Sequence, residues 1–373
     1  MSTHRDRLRG AKRVVVKVGS ALLVDKAGKL HESWLSSLTD EVAAWRARGQ
    51  EVILVSSGAV ALGRRYLGLK PGELRLEEKQ AAAAAGMIRL AHAYQERLGM
   101  HDTSVAQILL TLDDSENRRR YLNARSTLMT LLSVGAVPLI NENDTVATDE
   151  IRFGDNDRLA ARVAAMVSAD LLVLLSTIDG LYTADPHRDP SAKKLAEIEE
   201  LTPEIEAMAG VSNSADARGG MVTKLVAAKL CMNAGCAMVI ADGRRDHPLT
   251  ELETEGSCTW FLPSANPQTA RKTWIGGTLQ PAGILIVDEG AAKALGQGRS
   301  LLPAGIIDVT GNFQRGDAVA IKRRDGREVG RGLVNYSAED ARRIIGHKTA
   351  EIEGLLGYRG RDAMIHRDDL VVV

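Results

Sequence analysis

The feature that most limits what this chain can fold into is a series of short, unbroken apolar runs separated by stretches with helical periodicity. The runs cover residues 13–18, 51–56, 103–110, 136–141, 171–176 and 237–241. A run of this kind has no polar alternate face, so as a strand it must be covered on both sides. Between the first two runs, Leu35, Leu38, Val42 and Trp45 share one face of a helix read over 33–48, and Gly49 follows as a stop. That is a β-α-β unit. Its repetition to about residue 262 predicts an α/β sandwich with a largely parallel sheet, a fold that binds ligands beyond the carboxyl ends of its strands.

At 373 residues the chain exceeds one ordinary core and fits a large domain plus a small one. After Pro263 the pattern changes: 264–277 is rich in polar, Gly and Pro residues, and short strands dominate from Gly283. We read 1–262 as the catalytic domain, 263–280 as a linker and 281–373 as a small β-rich domain. In that domain 318–322 and 328–335 flank the turn Asp325-Gly326 as a hairpin, and 370–373 closes the set. Ala81 to Ala85 lie in a helical context and read as a close-packing face. An apolar content of 45% with 26% charged residues is ordinary globular composition. Forty-eight basic residues balance 48 acidic ones, so no global field recruits nucleic acid or anionic lipid and any anion must be caught locally. The odd set Cys231, Cys236 and Cys258 has no CxxC pair; it suits a reducing compartment and reads as small buried apolar side chains. No run approaches the roughly 18 apolar residues of a membrane span. The expected location is the cytoplasm.

Neither GxxxxGK[ST] nor GxGxxG occurs, and the His366-Arg367-Asp368 triplet sits too near the chain end for a protein-kinase loop. Four polar clusters at strand or loop ends carry the chemistry instead. Lys17-Val18-Gly19-Ser20 ends an apolar strand with a lysine that can reach phosphate oxygens, while Gly19 lets backbone approach closely; an ion-paired or snorkelling lysine is the plain alternative. Ser56-Ser57-Gly58-Ala59 leaves a strand and opens a helix, whose free amides favour an anion or mark an ordinary cap. Asn141-Glu142-Asn143-Asp144 and Gly154-Asp155-Asn156-Asp157 are too densely polar to be core, and suit a small molecule bearing an ammonium and a carboxylate. Arg218-Gly219-Gly220-Met221-Val222-Thr223-Lys224 opens a helix with glycines, whose amides can wrap a phosphate, and supplies a second lysine. Together they suggest phosphoryl transfer to a carboxylate. Such an acceptor is already ionised at pH 7, which fits the lack of His and Cys in the clusters.

These motifs resemble the amino-acid kinase superfamily and, within it, the glutamate 5-kinase family. The likeness is carried by KVGS at Lys17, VSSGAV at Val55, KQAAAAAG at Lys79, VPLINENDTV at Val137, FGDND at Phe153, DGLYTADP at Asp179 and GGMVTK at Gly219. GAAKAL at Gly290, SLLPAGI at Ser300, GNFQRGDAV at Gly311 and HRDDLVV at His366 are similar to the PUA domain appended to bacterial members. The resemblance implies phosphorylation of the γ-carboxylate of L-glutamate by ATP with Mg²⁺, opening proline biosynthesis. It implies Lys17 and Lys224 as stabilisers of the transferring phosphoryl group and Asp157 as the residue that orients both. Ser57, Gly58, Asn141, Asp144 and Asn156 would hold glutamate, Asp144 through its ammonium. Lys17, Gly19, Ser20, Ser176, Thr177 and Arg218 to Lys224 would border the nucleotide. Members often carry an acidic residue in place of Thr177 and Gly-Thr in place of Ala217-Arg218, so the nucleotide contacts are where this chain departs from its relatives. The family further implies feedback inhibition by proline, homo-oligomers and a reductase partner, glutamate-5-semialdehyde dehydrogenase, for the labile acyl phosphate.

Two other readings compete. A kinase acting on N-acetylglutamate or aspartate would share the fold, but the acidic Asp144 favours a free amino group. An RNA-binding role through the C-terminal domain is disfavoured, because 281–373 holds 14 basic and 13 acidic residues, a net of +1, where RNA-binding surfaces are clearly basic.

Overall fold

The computed structural model describes residues 3–70, 72–146, 156–186, 188–209, 220–254, 256–277 and 280–372. Contacts divide the chain into two units, Met1–Pro267 and Gln268–Val373.

The first unit is built on an eight-stranded sheet. Its strands are β1 (Arg13–Val18), β2 (Glu51–Ser56), β3 (Val105–Leu110), β4 (Val137–Glu142), β5 (Leu171–Ser176), β8 (Glu197–Ile198), β9 (Ala237–Asp242) and β10 (Cys258–Phe261), in the order β3-β4-β2-β1-β5-β9-β10-β8. A separate two-stranded ribbon pairs β6 (Leu181–Tyr182) with β7 (Lys194–Leu195). All pairings from β3 to β9 are parallel, and β10 runs antiparallel to β9. From β1 the chain moves outward to β2 and its neighbours, then returns to β5 on the other side of β1. The sheet order therefore reverses between β1 and β5, where open α/β sheets leave a ligand crevice at the carboxyl edge.

Alternation along the strands feeds two cores. Val14, Val16, Val18, Val52, Leu54, Val173 and Leu175 pack against α2 (Glu32–Ala47), α3 (Ala59–Tyr66) and α4 (Leu76–Gly99), while α1 (Ser20–Leu23) joins the same layer. Val15, Ile53, Val55, Leu172, Leu174 and Ile240 face α5 (Arg118–Ser133), α6 (Asn156–Val167) and α7 (Met221–Asn233). The helix read over 33–48 spans Glu32–Ala47, with its predicted apolar face buried. Full burial of one such large side chain contributes about 1.5–3 kcal/mol. The third run differs from expectation: β3 is only partly buried, because it lies at the sheet edge. Cys231, Cys236 and Cys258 are buried and free, as read from composition. Among the described residues no helix is long and apolar enough to cross a membrane.

In the second unit β11 (Gly283–Val287), β12 (Ile306–Gly311), β13 (Ala318–Arg323), β14 (Glu328–Leu333) and β15 (Leu370–Val372) form one sheet in the order β12-β11-β13-β14-β15. The expected hairpin is β13–β14, turning at Gly326 with φ 84°. Leu285, Ile321, Phe313 and Met364 lie in its separate core. Pro267–Gly277, in the segment read as a linker, is a helix: its Ile275 is fully buried and its Arg271 pairs with buried Asp369 at 2.5 Å.

The alanine-rich stretch is the packing face predicted from sequence. Gly63 of α3 and Gly86 of α4 let two backbones touch: a Cβ added at Gly63 would lie 1.7 Å from the Ala82 carbonyl oxygen, and one at Gly86 1.8 Å from that of Ala59. Gly63→Ala or Gly86→Ala should therefore push the helices apart and destabilise by about 2–3 kcal/mol or more, as overpacking does. Gly99→Ala, whose Cβ meets nothing within 4 Å, is the control and should be near neutral. Urea denaturation midpoints would decide; parent-like midpoints for both crossing variants would disprove this packing.

Candidate active site

Lys17 is the fifth residue of β1 and follows Val15 on the α6–α7 face, so the strand places its side chain on that side of the sheet. Asp157 is the second residue of α6 and Lys224 lies in the first turn of α7. The three side chains meet. Lys17 Nζ lies 2.7 Å from Asp157 Oδ1, and Lys224 Nζ lies 2.9 Å from Asp157 Oδ2. All three are buried, with Asp157 and Lys224 at 1% and 3% exposure. Burial alone would raise the Asp157 carboxyl, but the two ammonium groups hold it at about 2. Thr223 Oγ1 also lies 3.2 Å from Asp157 Oδ2 and 2.8 Å from the Gly220 carbonyl oxygen, a position the sequence reading assigned only to nucleotide. Among the described residues two buried cations share one anion, a group with a net charge of +1 at the carboxyl edge of β1. The chemistry of that surplus is anion binding.

Asn156, one residue before Asp157, turns to a second group of side chains. Its Nδ2 donates to Ser57 Oγ at 2.7 Å and lies 3.5 Å from Asn141 Oδ1. Its own Oδ1 is buried and has no hydrogen-bond partner among the described residues, an acceptor ready for a ligand's N–H. Ser57 follows β2, and Gly58 takes φ 101° as it opens α3 without any side-chain cap. Thus the Ser57 hydroxyl serves Asn156 and not the helix end. The need for glycine at 58 is double, since a Cβ there would also come within 3.1 Å of Val24 Cγ2. Asn141 and Glu142 complete β4 and are buried, and Asn141 Oδ1 accepts the Glu142 amide at 2.9 Å. Burial pushes the nearby Asp144 carboxyl up to about 6. An ammonium beside it would reverse that shift.

The remaining predicted positions follow the same edge. Gly19 caps α1 with φ −70°, and a Cβ there would make only ordinary contacts, 3.4 Å from the Leu175 carbonyl oxygen and 4.0 Å from Lys17 Nζ, so neither backbone conformation nor space requires glycine at this position. Ser20 is exposed at the start of α1. Ser176 ends β5 beside Asp242, and Thr177 is exposed just beyond it. Gly220 precedes α7, with Met221 and Val222 in its first turn. Arg218 and Gly219, like Gly154 and Asp155, lie outside the described residues. Asp179 of the DGLY motif is occupied by its own framework, accepting from Ser257 Oγ at 2.6 Å and from Tyr182 OH at 3.1 Å.

Comparison with known proteins identifies the family. Residues 12–242 match the model of the amino acid kinase family, and residues 283–356 that of the PUA domain. A glutamate 5-kinase of Paramagnetospirillum magneticum is 66% identical, over 98% of this chain and 99% of its own length. Another, of Rhodospirillum rubrum, is 60% identical over 96% of each, and glutamate 5-kinase 1 of Rhizobium meliloti is 60% identical over 100% of this chain and 95% of its own. The chain belongs to the amino acid kinase family and, with these relatives, to its glutamate 5-kinase branch, with a PUA domain at its C-terminal end.

Asp157→Asn would leave two buried ammonium groups without their shared carboxylate. Removing one partner of a buried ion pair costs about 3–5 kcal/mol. Urea denaturation at neutral pH should show a loss of that order. Parent-like stability would mean the three charges do not meet.

Proposed function

We propose that this chain transfers the γ-phosphoryl group of ATP to the γ-carboxylate of free L-glutamate, forming γ-glutamyl phosphate and ADP. What carries the proposal is the triad Lys17–Asp157–Lys224 standing next to a polar cradle in which a buried acceptor on Asn156 has no hydrogen-bond partner among the described residues. A carboxylate oxygen attacks the γ-phosphorus and the bond from that phosphorus to the β,γ-bridging oxygen breaks. No proton has to leave the acceptor, so no general base is needed. Lys17 and Lys224 neutralise charge on the transferring group, and Asp157 fixes both ammonium groups before the substrates arrive. Ser57, Gly58, Asn141 and Asn156 hold the amino acid, and Asp144 faces its ammonium. Gly19, Ser20, Ser176, Thr177 and residues 218–223 border the nucleotide.

Mg²⁺ would enter with the nucleotide phosphates and offset their charge. Among the described residues no group of three or more His, Cys, Asp or Glu side chains converges on a metal position. Family membership supports proline biosynthesis in the cytoplasm, with feedback by proline, a homo-oligomer and a reductase that consumes the acyl phosphate. For the C-terminal domain the near-neutral charge balance argues against RNA.

With ATP, Mg²⁺ and L-glutamate, hydroxylamine should trap a γ-glutamyl hydroxamate, while N-acetylglutamate and aspartate should turn over far more slowly. A marked preference for either of those would overturn the substrate assignment. Because an ammonium lowers the pKa of Asp144 from about 6, the bound complex holds fewer protons than the free chain. The KM for glutamate should accordingly rise as pH falls through about 6, and Asp144→Asn should raise KM while flattening that rise. A KM profile across pH 5–7 that is identical in parent and variant would remove Asp144 from the site.

A further inference from the structure

Tyr94 is a buried hydroxyl that the reaction does not use. It lies in α4 with no exposed surface, among Leu54, Ala59, Leu90 and Leu98 on the face of the sheet opposite α6. Phenylalanine would fill that space equally well, and a buried O–H is unfavourable unless it is hydrogen-bonded. Its partner is Ser56 Oγ at 3.2 Å. Ser56 is the last residue of β2 and is fully buried. Following Val52 and Leu54 in the alternation, its side chain points toward α4, while its backbone belongs to the strand end that carries the cradle.

That strand end is gripped from both faces. On the α6 side Asn156 Nδ2 donates to Ser57 Oγ at 2.7 Å and lies 3.5 Å from the Ser56 carbonyl oxygen. Within the sheet, the Ser57 amide donates to the Val18 carbonyl oxygen at 3.2 Å, tying the turn to the end of β1 just past Lys17. On the α4 side the Tyr94 hydroxyl meets the side chain of Ser56, the residue that begins the turn. Gly58 follows in the left-handed region, where rotation of the Ser56–Ser57 peptide would redirect its amide and the start of α3.

We infer that Tyr94 is a positioning residue for the amino-acid substrate: through Ser56 it sets the orientation of the Ser57–Gly58 turn from across the sheet. The inference rests on the reaction proposed above. It separates two ends of the site, because among the described residues no hydrogen bond or ion pair joins Lys17 or Asp157 to Tyr94 or Ser56, and the triad should keep its geometry when the hydroxyl is lost. Tyr94 therefore acts on binding of the amino acid and not on the transfer step.

The test is steady-state kinetics on the full chain with Tyr94→Phe, Ser56→Ala and the double variant, varying glutamate and ATP in turn. Each single change should raise the KM for glutamate about threefold to tenfold, the range expected for one lost buried hydrogen bond. The KM for ATP and kcat should stay within about twofold. Because both changes break one link, the double variant should be no worse than the worse single one. A purely structural role would lower the thermal midpoint with the KM for glutamate unchanged, and that result would overturn the inference. So would strictly additive effects, or a KM for ATP that rises in step with that for glutamate. If Tyr94→Phe does not fold, Ser56→Ala, which removes a single oxygen, decides by the same criteria. Absence of glutamate turnover in the parent chain would overturn the reaction and this inference together; turnover in the parent with unchanged variants would overturn this inference alone.

Discussion

The structure of the catalytic unit turns on one carboxylate shared by two lysines. Three separate elements must deliver their residues to the same point: the end of β1, the start of α6 and the first turn of α7. A buried ion pair of this kind is poor value as a stabiliser, since desolvation of three charges offsets most of their attraction. Its use is electrostatic. Among the described residues two cations stand in fixed positions with one negative charge between them, and in the proposed reaction the surplus meets an anion. Preorganised charge of this sort needs no reorganisation when negative charge grows on a transferring group.

The sheet explains how the triad and the amino-acid cradle come to be neighbours. The sheet order reverses between β1 and β5, and Lys17 lies at that carboxyl edge, where open α/β sheets leave a ligand crevice. Asn156 and Asp157 are consecutive at the mouth of α6, one reaching Ser57 and the other the lysines. In the proposed reaction a single helix start thus fixes the distance between the group that is to be phosphorylated and the charges that assist transfer. The close crossing of α3 and α4 at Gly63 and Gly86 supports the other wall, holding the helix that Gly58 opens.

Much of this was legible in the sequence, for physical reasons. Strands buried on both faces have to be continuously apolar, so β1, β2, β4, β5 and β9 stood out, as did the helical face of Leu35, Leu38, Val42 and Trp45. Lys17 was visible because a charge at the end of such a run demands a purpose. Its meeting with Asp157 and Lys224 is a tertiary fact that no local periodicity encodes. The half-exposed state of β3 depends on its place at the sheet edge, which strand composition does not report. Pro267–Gly277 was hidden by its polar, glycine-containing composition, although Ile275 and the Arg271–Asp369 pair anchor it as a helix. Tyr94 was invisible for the opposite reason: on helix α4 it looks like an ordinary core position, and only the 3.2 Å contact of its hydroxyl with Ser56, a member of the turn already read from sequence, distinguishes it.

The central claim is that Lys17 and Lys224 act on charge that develops during transfer, held in place by Asp157. Measuring kcat for Lys17→Met and Lys224→Met, which keep side-chain length and remove the ammonium, tests it most directly. Each should lose on the order of 10²-fold or more in kcat, as preorganised electrostatic groups do, with the KM for glutamate changed far less. A kcat within a few fold of the parent for either correctly folded variant would contradict the account and place the transfer step elsewhere.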